Sequence, residues 1–159
     1  MTHPRAAALI AQLGMKPHPE GGWYAEVFRS PHAVQTADGR PPRVALTTID
    51  FLLERGQASA WHRVRSDEVW HLLEGDSLTL CLLPPQGGPP QQVLLSATTT
   101  RRHVVPADWW QAAEPGGDYA YVGATVSPGF DFADFAFGRD DSALINALQH
   151  SAPGLTRLL

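Results

Sequence analysis

The chain has 159 residues and a formal net charge of −4, and its 14 glycines and 14 prolines equal its 12 basic and 16 acidic residues in number. So many turn-forming residues exclude a helix bundle or a coiled coil, and a hydrophobic share of 43% excludes a disordered chain. The acidic balance, with no basic run longer than Arg101-Arg102, argues against nucleic acid and anionic membranes as partners. We therefore expect a single, turn-rich and mostly β domain over residues 1–159.

The two ends of the chain have helical patterns. Apolar residues at helical spacing between Pro4 and Gly14 predict a short amphipathic helix over 4–13. A second helix is predicted over 141–149, with Asp140 or Asp141 as its cap. Both helices would flank the β domain.

Between the helices the apolar pattern has the period of β-strands. About ten short strands alternate with turn signals, which indicates an antiparallel sandwich or barrel over about residues 23–138. The predicted strands are 23–29, 44–53, 59–63, 68–73, 78–83, 92–96, 103–105, 109–113, 119–127 and 132–137.

Cysteine usage and hydropathy indicate the compartment. Cys81 is the single cysteine and lies in an apolar run, so an internal disulfide is impossible and a reducing compartment fits. The N-terminus lacks the long apolar core of a signal peptide, and no apolar run approaches the roughly 18 residues of a membrane span. We expect a cytoplasmic protein.

One stretch carries chemistry-bearing residues at a distinctive spacing. Gly56 is followed after five residues by His62, after one more by Val64, after three by Glu68 and after six by Gly75. Residues two apart in a strand face the same side, and a hairpin would return Glu68 next to His62. A histidine and a carboxylate that meet inside a barrel can hold a divalent metal or act as an acid/base pair.

This spacing resembles the first sequence motif of the cupin superfamily. Further blocks at 13–24, 66–76, 105–113 and 126–135 resemble one subfamily, the fifth cupin sequence family, whose members are short single-domain cupins of unknown function. The resemblance implies an all-β jelly-roll barrel, or double-stranded β-helix, with short N- and C-terminal helices. It also implies a pocket at an open barrel mouth, a small-molecule ligand and a homodimer.

The metal site that the resemblance implies is incomplete in this sequence. Complete cupin sites have histidines where this chain has Val64 and Gln111, so His62 and Glu68 remain as good ligands and Gln111 as a tentative third. His71 is a weaker candidate, because it falls on the face opposite Glu68 unless a bulge turns it inward. We expect no firmly held cofactor and keep a weakly bound divalent metal as an open alternative.

Several residues are candidates for ligand binding around this pair. The loop 17–22 combines charge with two prolines, and the resemblance suggests that it folds over the barrel mouth. An equal alternative is a rigid crossover in which the glutamate of the loop accepts backbone hydrogen bonds. Aromatic side chains at a barrel mouth can stack on a sugar or a heterocycle. The predicted ligand-binding residues are Trp70, Gln111, Tyr24, His18 and Glu20.

Other conspicuous residues have structural interpretations. The four phenylalanines at 130, 132, 135 and 137 are predicted to lie in the core. Asp134, which interleaves with them, is predicted to be an exposed carboxylate at a sheet edge, with a buried acid as the alternative because it shares a face with Phe132. Trp61 should face away from His62 and pack elsewhere, and Ser59, which has the parity of Trp61, is not assigned to the site.

Two classes of function remain open. In the first, His62 and Glu68 are catalytic and transfer protons in an isomerisation or epimerisation of a sugar-like or nucleotide-sugar-like substrate, by analogy with metal-free cupins. In the second, the protein is a non-catalytic module that binds or senses a small ligand. A weakly metal-dependent cupin enzyme is a further alternative.

Overall fold

The computed structural model describes residues 2–159 and consists mainly of antiparallel strands. Helix α1 spans Pro4–Leu13 and helix α2 spans Ser142–Ser151, and short 3-10 helices cover Phe132–Asp134, Gly138–Asp140 and Pro153–Leu158. The strands are β1 Lys16–Pro17, β2 Trp23–Arg29, β3 Ala33–Val34, β4 Arg43–Val44, β5 Thr47–Glu54, β6 Ser59–Val64, β7 Asp67–Gly75, β8 Leu78–Leu83, β9 Gln91–Leu95, β10 Arg102–Val105, β11 Trp110–Pro115, β12 Tyr119–Ser127 and β13 Phe135–Phe137.

Two sheets face each other, and the fold is the predicted jelly roll. One sheet has six strands in the order β1-β2-β5-β12-β7-β10, and the other has five in the order β13-β6-β11-β8-β9. Strands β3 and β4 form a separate small hairpin. Sequence neighbours such as β6 and β7 lie in different sheets, which is the crossing pattern of a jelly roll rather than of a meander.

The core lies between the sheets, and each outer face carries one helix. Inward-facing apolar side chains, among them Phe51, Trp70 and Leu80, form the central cluster. Helix α1 packs on the outer face of the six-stranded sheet, where Leu9 contacts the cluster around Leu52. Helix α2 and the C-terminal 3-10 helix cover the five-stranded sheet through a third cluster.

The residues at the helix ends explain where the helices begin and stop. Helix α1 starts with Pro4 in its first turn and ends at Gly14, whose φ of 61° is a left-handed conformation that glycine adopts without strain. Asp141 caps α2, because its carboxylate accepts a hydrogen bond from the Leu144 N–H at 2.9 Å. None of the helices in residues 2–159 is both long and apolar enough to cross a membrane.

Two predicted strands differ from the observed ones. The strand predicted over 44–53 is interrupted, with β4 ending at Val44 and β5 beginning at Thr47. The strand predicted over 132–137 is a 3-10 turn followed by the three residues of β13. The turn forms because the Asp131 carboxylate accepts a hydrogen bond from the Ala133 N–H at 2.8 Å, which starts a tight turn where the alternation of apolar residues favours a strand.

Candidate functional site

Strands β6 and β7 place the predicted pair at one end of the barrel. His62 is the fourth residue of β6 and Glu68 is the second residue of β7, and both side chains point between the sheets. His62 is 3% exposed and Glu68 is 7% exposed. Two ionisable side chains are thus removed almost entirely from bulk water, a position that needs compensation from hydrogen bonds or a change of protonation.

The loop before β2 adds two more ionisable groups. Glu20 is 8% exposed, and its Oε2 atom lies 3.2 Å from Nε2 of His62. Its other carboxyl oxygen, Oε1, accepts a hydrogen bond from the Ser59 hydroxyl at 2.8 Å. His18 lies next to it, with Nδ1 at 3.8 Å from Glu20 Oε2. We call His18, Glu20, His62 and Glu68 the floor cluster.

The loop 17–22 both lines the cavity and is firmly attached to the barrel. Backbone hydrogen bonds join His18 to Gly22 and the Glu20 carbonyl oxygen to the Ala60 N–H. Gly21 has a φ of 110°, and a Cβ atom there would lie 2.1 Å from the Ala58 carbonyl oxygen, so only glycine permits this approach. The glutamate accepts its side-chain hydrogen bond from the Ser59 hydroxyl, and not from the backbone groups that one sequence interpretation expected.

The floor cluster opens into one cavity. The cavity has an empty volume of about 680 Å³, including open solvent at its mouth. Its walls include Ile49 and Val64 together with the partly buried Phe130 and Phe135. Apolar walls with a few convergent polar groups are typical of small-molecule sites.

The rim of the cavity is more exposed and carries charge. Glu26 and Arg29 of β2 form an ion pair at 2.9 Å, each with a little under half of its side chain exposed. Phe132 lies beside them and is 60% exposed. The structure thus adds Arg29 and Phe132 to the residues that sequence reasoning associated with the cavity.

Burial governs the protonation of the floor cluster. Desolvation raises the pKa of Glu68 to about 7, although His62 and the Gln111 amide partly oppose the shift and Glu20 adds to it. Desolvation also raises the pKa of Glu20 and lowers the pKa of both His18 and His62. A carboxyl group that titrates near neutrality beside a cavity is suited to give and take a proton.

Trp70 and Gln111 lie behind Glu68 and are not among the residues that line the cavity. The Trp70 indole N–H donates to Gln111 Oε1 at 2.8 Å, and Gln111 Nε2 donates to Glu68 Oε2 at 2.6 Å. Because an indole nitrogen can only donate, it fixes which end of the Gln111 amide faces Glu68. Both residues are buried and orient the carboxylate from below.

The donor set does not fit a bound metal. The one oxygen that Gln111 could offer to a metal accepts a hydrogen bond from Trp70. Its amide nitrogen, which donates a hydrogen bond to Glu68, has no free lone pair to bind a metal. Within residues 2–159, no three His, Cys, Asp or Glu side chains are grouped so that they could hold a metal ion. His71 lies on the outer face of β7 between Val69 and Leu73, and the register shift in β12 falls at Tyr121 and Val122, beyond the position that would turn it inward.

The remaining predicted residues have mixed outcomes. Tyr24 lines the cavity and packs its ring edge-on against His18, with 4.7 Å between the centroids. Trp61 faces away from His62, as predicted, and its indole N–H donates to the Leu155 carbonyl oxygen at 3.0 Å. Ser59, which parity left outside the site, contacts Glu20 where the β6–β11 register shifts.

Two structural expectations were wrong. Phe132 lies outside the core, since the 3-10 turn directs it to the cavity rim, and the other phenylalanines of this segment are only partly buried. Asp134 is not an exposed edge carboxylate but is 7% exposed. Its two oxygens accept hydrogen bonds of 2.8–2.9 Å from Arg40 and Arg43, which lowers its pKa. We call Arg40, Arg43 and Asp134 the anchor cluster.

Comparison with known proteins agrees with the fold. The family model described as "Cupin superfamily (DUF985)" matches residues 7–138. A hypothetical protein from Leishmania major is 32% identical, with a TM-score of 0.85 over 96% of this chain and 97% of that chain. A protein of Shewanella oneidensis is 29% identical, with a TM-score of 0.82 over 96% of each chain.

More distant structures share the fold alone. The capsular polysaccharide assembling protein CapF from Staphylococcus aureus is 13% identical, with a TM-score of 0.60 over 77% of this chain and 31% of that chain. The search of curated proteins finds no match.

Proposed function

Since the chain belongs to the cupin superfamily, in the family DUF985, we propose that it is an isomerase or epimerase that moves a proton on a sugar-like or nucleotide-sugar-like ligand. Glu68 and His62 are the catalytic residues of this proposal. The observation that carries it is the Glu68 carboxyl group, which has a pKa of about 7 and lies at the floor of an open cavity. Gln111, 43 residues later in the sequence, orients it through a hydrogen bond.

The floor cluster supplies what such a reaction needs. Isomerisation and epimerisation next to a carbonyl group require a base that removes a proton from carbon and an acid that serves the carbonyl oxygen. Near neutral pH about half of the Glu68 side chains are ionised and can act as the base. His62 lies in the same cavity floor and can assist at the oxygen.

The ligand class follows from the cavity lining and from an analogy of fold. Hydroxyl groups of a sugar can bind to the carboxyl and imidazole groups of the floor, while ring C–H faces can pack on the phenylalanines of the wall. The fold similarity to a capsular polysaccharide assembling protein suggests the same class. The proposed ligand contacts are Tyr24, His18 and Glu20, with Trp70 and Gln111 acting from behind Glu68.

A ligand screen with two variants tests the proposal. Thermal shifts are measured with sugars, sugar nucleotides and organic acids on the wild type, His62→Ala and Glu68→Gln. Each ligand that shifts the melting temperature is then incubated in D2O, and loss of its C–H signal is followed by proton NMR. We expect exchange with the wild type and a decrease of at least about 100-fold with either variant.

The same screen separates the alternatives. A ligand that binds but never exchanges a C–H proton would favour the non-catalytic binding or sensing module, because its cavity would then act through affinity alone. A weakly metal-dependent enzyme would require exchange that appears only when divalent ions are added. No thermal shift with any ligand would contradict the small-molecule pocket itself.

The homodimer and the cytoplasmic location stay predictions. Leu73 and Val104 of neighbouring strands β7 and β10 share an outer sheet face and are 47% and 52% exposed, which is consistent with a covered surface. Size-exclusion chromatography with light scattering tests the dimer. A monomer at micromolar concentration would contradict it.

A further inference from the structure

Glu20 is a buried ionisable group to which the proposed reaction gives no proton-transfer role, and its surroundings differ at its two oxygens. Oε1 accepts a hydrogen bond from the Ser59 hydroxyl at 2.8 Å. Oε2 faces two imidazole nitrogens, Nε2 of His62 at 3.2 Å and Nδ1 of His18 at 3.8 Å. The protonation state of the Glu20 carboxyl group therefore depends on whether these two nitrogens carry hydrogen.

The other hydrogen bonds of the two histidines settle where their hydrogens are. Nδ1 of His62 lies 2.7 Å from the Ala60 carbonyl oxygen, which can only accept, so this nitrogen is the one that carries hydrogen in a neutral ring. Nδ1 of His18 accepts from the Glu20 backbone N–H at 3.2 Å, so it presents a lone pair. With both rings neutral, Oε2 of Glu20 faces the lone pair of His62 Nε2, and Nδ1 of His18 offers it no hydrogen either.

An ionised carboxylate would fit this arrangement poorly. Its negative charge would meet the acceptor nitrogen Nε2 of His62 at 3.2 Å with no hydrogen between them, in a place where its side chain is 8% exposed to water. A carboxylic acid provides the one missing hydrogen, with Oε1 as the carbonyl oxygen that accepts from Ser59 and Oε2 as the hydroxyl that donates to His62. The floor of the cavity then has complete hydrogen bonding without a net charge on this pair.

We propose that Glu20 is a neutral carboxylic acid that donates its proton to Nε2 of His62, so that the pair stores one proton beside the base Glu68. Glu20 acts through His62 and is a positioning residue for it. The assignment deepens the proposed function and rests on the same site, but it can be tested without any substrate.

The stored proton completes a balanced reaction on an α-hydroxy carbonyl compound. The Glu68 carboxylate takes the proton from the carbon next to the carbonyl group, and the electron pair of that C–H bond forms the C=C bond of an enediol. The carbonyl oxygen takes the proton of the Glu20–His62 pair at Nε2. Glu68 then delivers its proton to the former carbonyl carbon, while the hydroxyl on the neighbouring carbon becomes the new carbonyl group and gives its proton to the Glu20–His62 pair. This step gives the isomer and restores the three side chains.

The proton location is measured by NMR on the ligand-free protein. Glutamate labelled at the carboxyl 13C and histidine labelled with 15N report the state of each group between pH 5 and 9. At pH 7 we expect Glu20 to have the carboxyl shift of a protonated acid, and His62 to be a neutral ring that carries hydrogen on Nδ1. Titration is interpreted together with the groups that face the pair, which are His18, Glu68 and the hydroxyl of Ser59.

Matched variants separate proton storage from mere packing. Glu20→Gln keeps an N–H donor to His62 and should leave the Nδ1–H tautomer unchanged, whereas Glu20→Leu removes the donor and should shift the Nε2 resonance towards that of a ring without a partner. Glu26→Gln at the exposed rim is the control and should leave the His62 spectrum unchanged.

Two results would overturn the assignment. One is a Glu20 carboxylate at pH 7 beside a doubly protonated His62, and the other is a Glu20 carboxylate beside a neutral His62. Either result would leave the proposed proton transfer by Glu68 standing. The wild-type spectrum alone decides the protonation state of Glu20, so the test holds even if a variant fails to fold. Absence of C–H exchange would refute the proposed function without moving these resonances.

Discussion

The floor cluster and the anchor cluster are both buried groups of ionisable side chains, yet they treat their charges in opposite ways. Asp134 in the anchor cluster accepts hydrogen bonds from two guanidinium groups, and these lower its pKa. Glu68 in the floor cluster receives one amide hydrogen bond and no cation, and its pKa rises to about 7. The lowered pKa keeps the Asp134 carboxylate ionised at neutral pH, whereas Glu68 titrates near neutrality.

This difference fits a structural role for the anchor cluster and the chemical role that we propose for the floor cluster. The anchor cluster ties the β3–β4 hairpin region to the turn that carries Phe132, and its compensated charges have no need to react. The floor cluster gives its carboxyl groups hydrogen bonds but no guanidinium partner, and it opens onto a cavity. A buried acid without a cation costs stability, and a proton-transfer site gives a reason for that cost.

The largest expected effect is at the anchor cluster. Asp134→Asn keeps the side-chain volume but leaves the buried Arg43 guanidinium without its paired carboxylate, and Arg40 with Asp38 as its remaining partner. We expect the free energy of unfolding at pH 7 to fall by about 3 kcal/mol, the usual result of removing one member of a buried ion pair. Denaturant unfolding measures the change.

An exposed ion pair provides the control for this variant. Arg55 and Asp118 are 71% and 54% exposed at a separation of 2.9 Å. Asp118→Asn should change the free energy of unfolding by less than about 0.5 kcal/mol, because water screens the pair. Equal effects of the two substitutions would contradict the structural role of Asp134.

The second prediction concerns Glu68, whose substitution should raise the free energy of unfolding at pH 8 rather than lower it. With its pKa at about 7, Glu68 stays protonated in the folded state at pH values where the unfolded chain has already lost that proton. Stability from this group is therefore complete below about pH 4.5 and declines as the pH rises to about 7, by about 3 kcal/mol at most. Glu68→Gln should abolish this decline and stabilise the protein at pH 8.

Unfolding curves at several pH values test this expectation. The difference between the wild type and Glu68→Gln isolates Glu68 from Glu20, whose pKa is also raised. A variant that is less stable than the wild type at pH 8 would show that the ionised carboxylate is well compensated. The distinction between the two clusters would then be lost.

The third effect concerns the residue that orients Glu68. Gln111→Leu removes the donor to Glu68 and leaves the buried Trp70 indole N–H without its acceptor. We expect a loss of about 2 kcal/mol in the free energy of unfolding, the cost of an unpaired buried polar group, and a further rise in the pKa of Glu68.

Stability between pH 4.5 and 9 measures both consequences. The free energy of unfolding should keep declining to a higher pH in Gln111→Leu than in the wild type. Gln92→Leu on β9 is the control, because Gln92 is exposed and its amide contacts only the Cys81 sulfur at 3.9 Å. An unchanged pH dependence in Gln111→Leu would show that the amide does not stabilise the carboxylate.

Local patterns in the sequence predicted the fold and the central pair. Turn residues and strand alternation indicate the β architecture, since both depend only on neighbouring residues. The expectation that a hairpin joins His62 and Glu68 was wrong, because β6 and β7 lie in different sheets and the two side chains meet between the sheets. Strand parity also separated Trp61, which packs under α2, from His62.

Contacts between distant residues could not be predicted in the same way. Asp134 pairs with Arg40 and Arg43 over separations of 94 and 91 residues, and Ser59 reaches Glu20 over 39. No local pattern encodes such pairings. The parity rule also fails where a side chain starts a turn, which is how Asp131 redirects the segment that follows it.

The smallest effect on stability is expected at the cavity rim, on the segment that the anchor cluster holds. Phe132 is 60% exposed, so Phe132→Ala should change the free energy of unfolding by less than about 0.5 kcal/mol. The same substitution should lower the affinity for any ligand found in the screen by about 3- to 10-fold, because an aromatic stacking contact contributes about 0.5–1.5 kcal/mol. Leu94→Ala is the control, since Leu94 is 51% exposed on β9 and does not line the cavity. If Phe132→Ala destabilises the fold as a core substitution does, or leaves every ligand affinity unchanged, then the anchor cluster supports packing alone and has no part in shaping the rim.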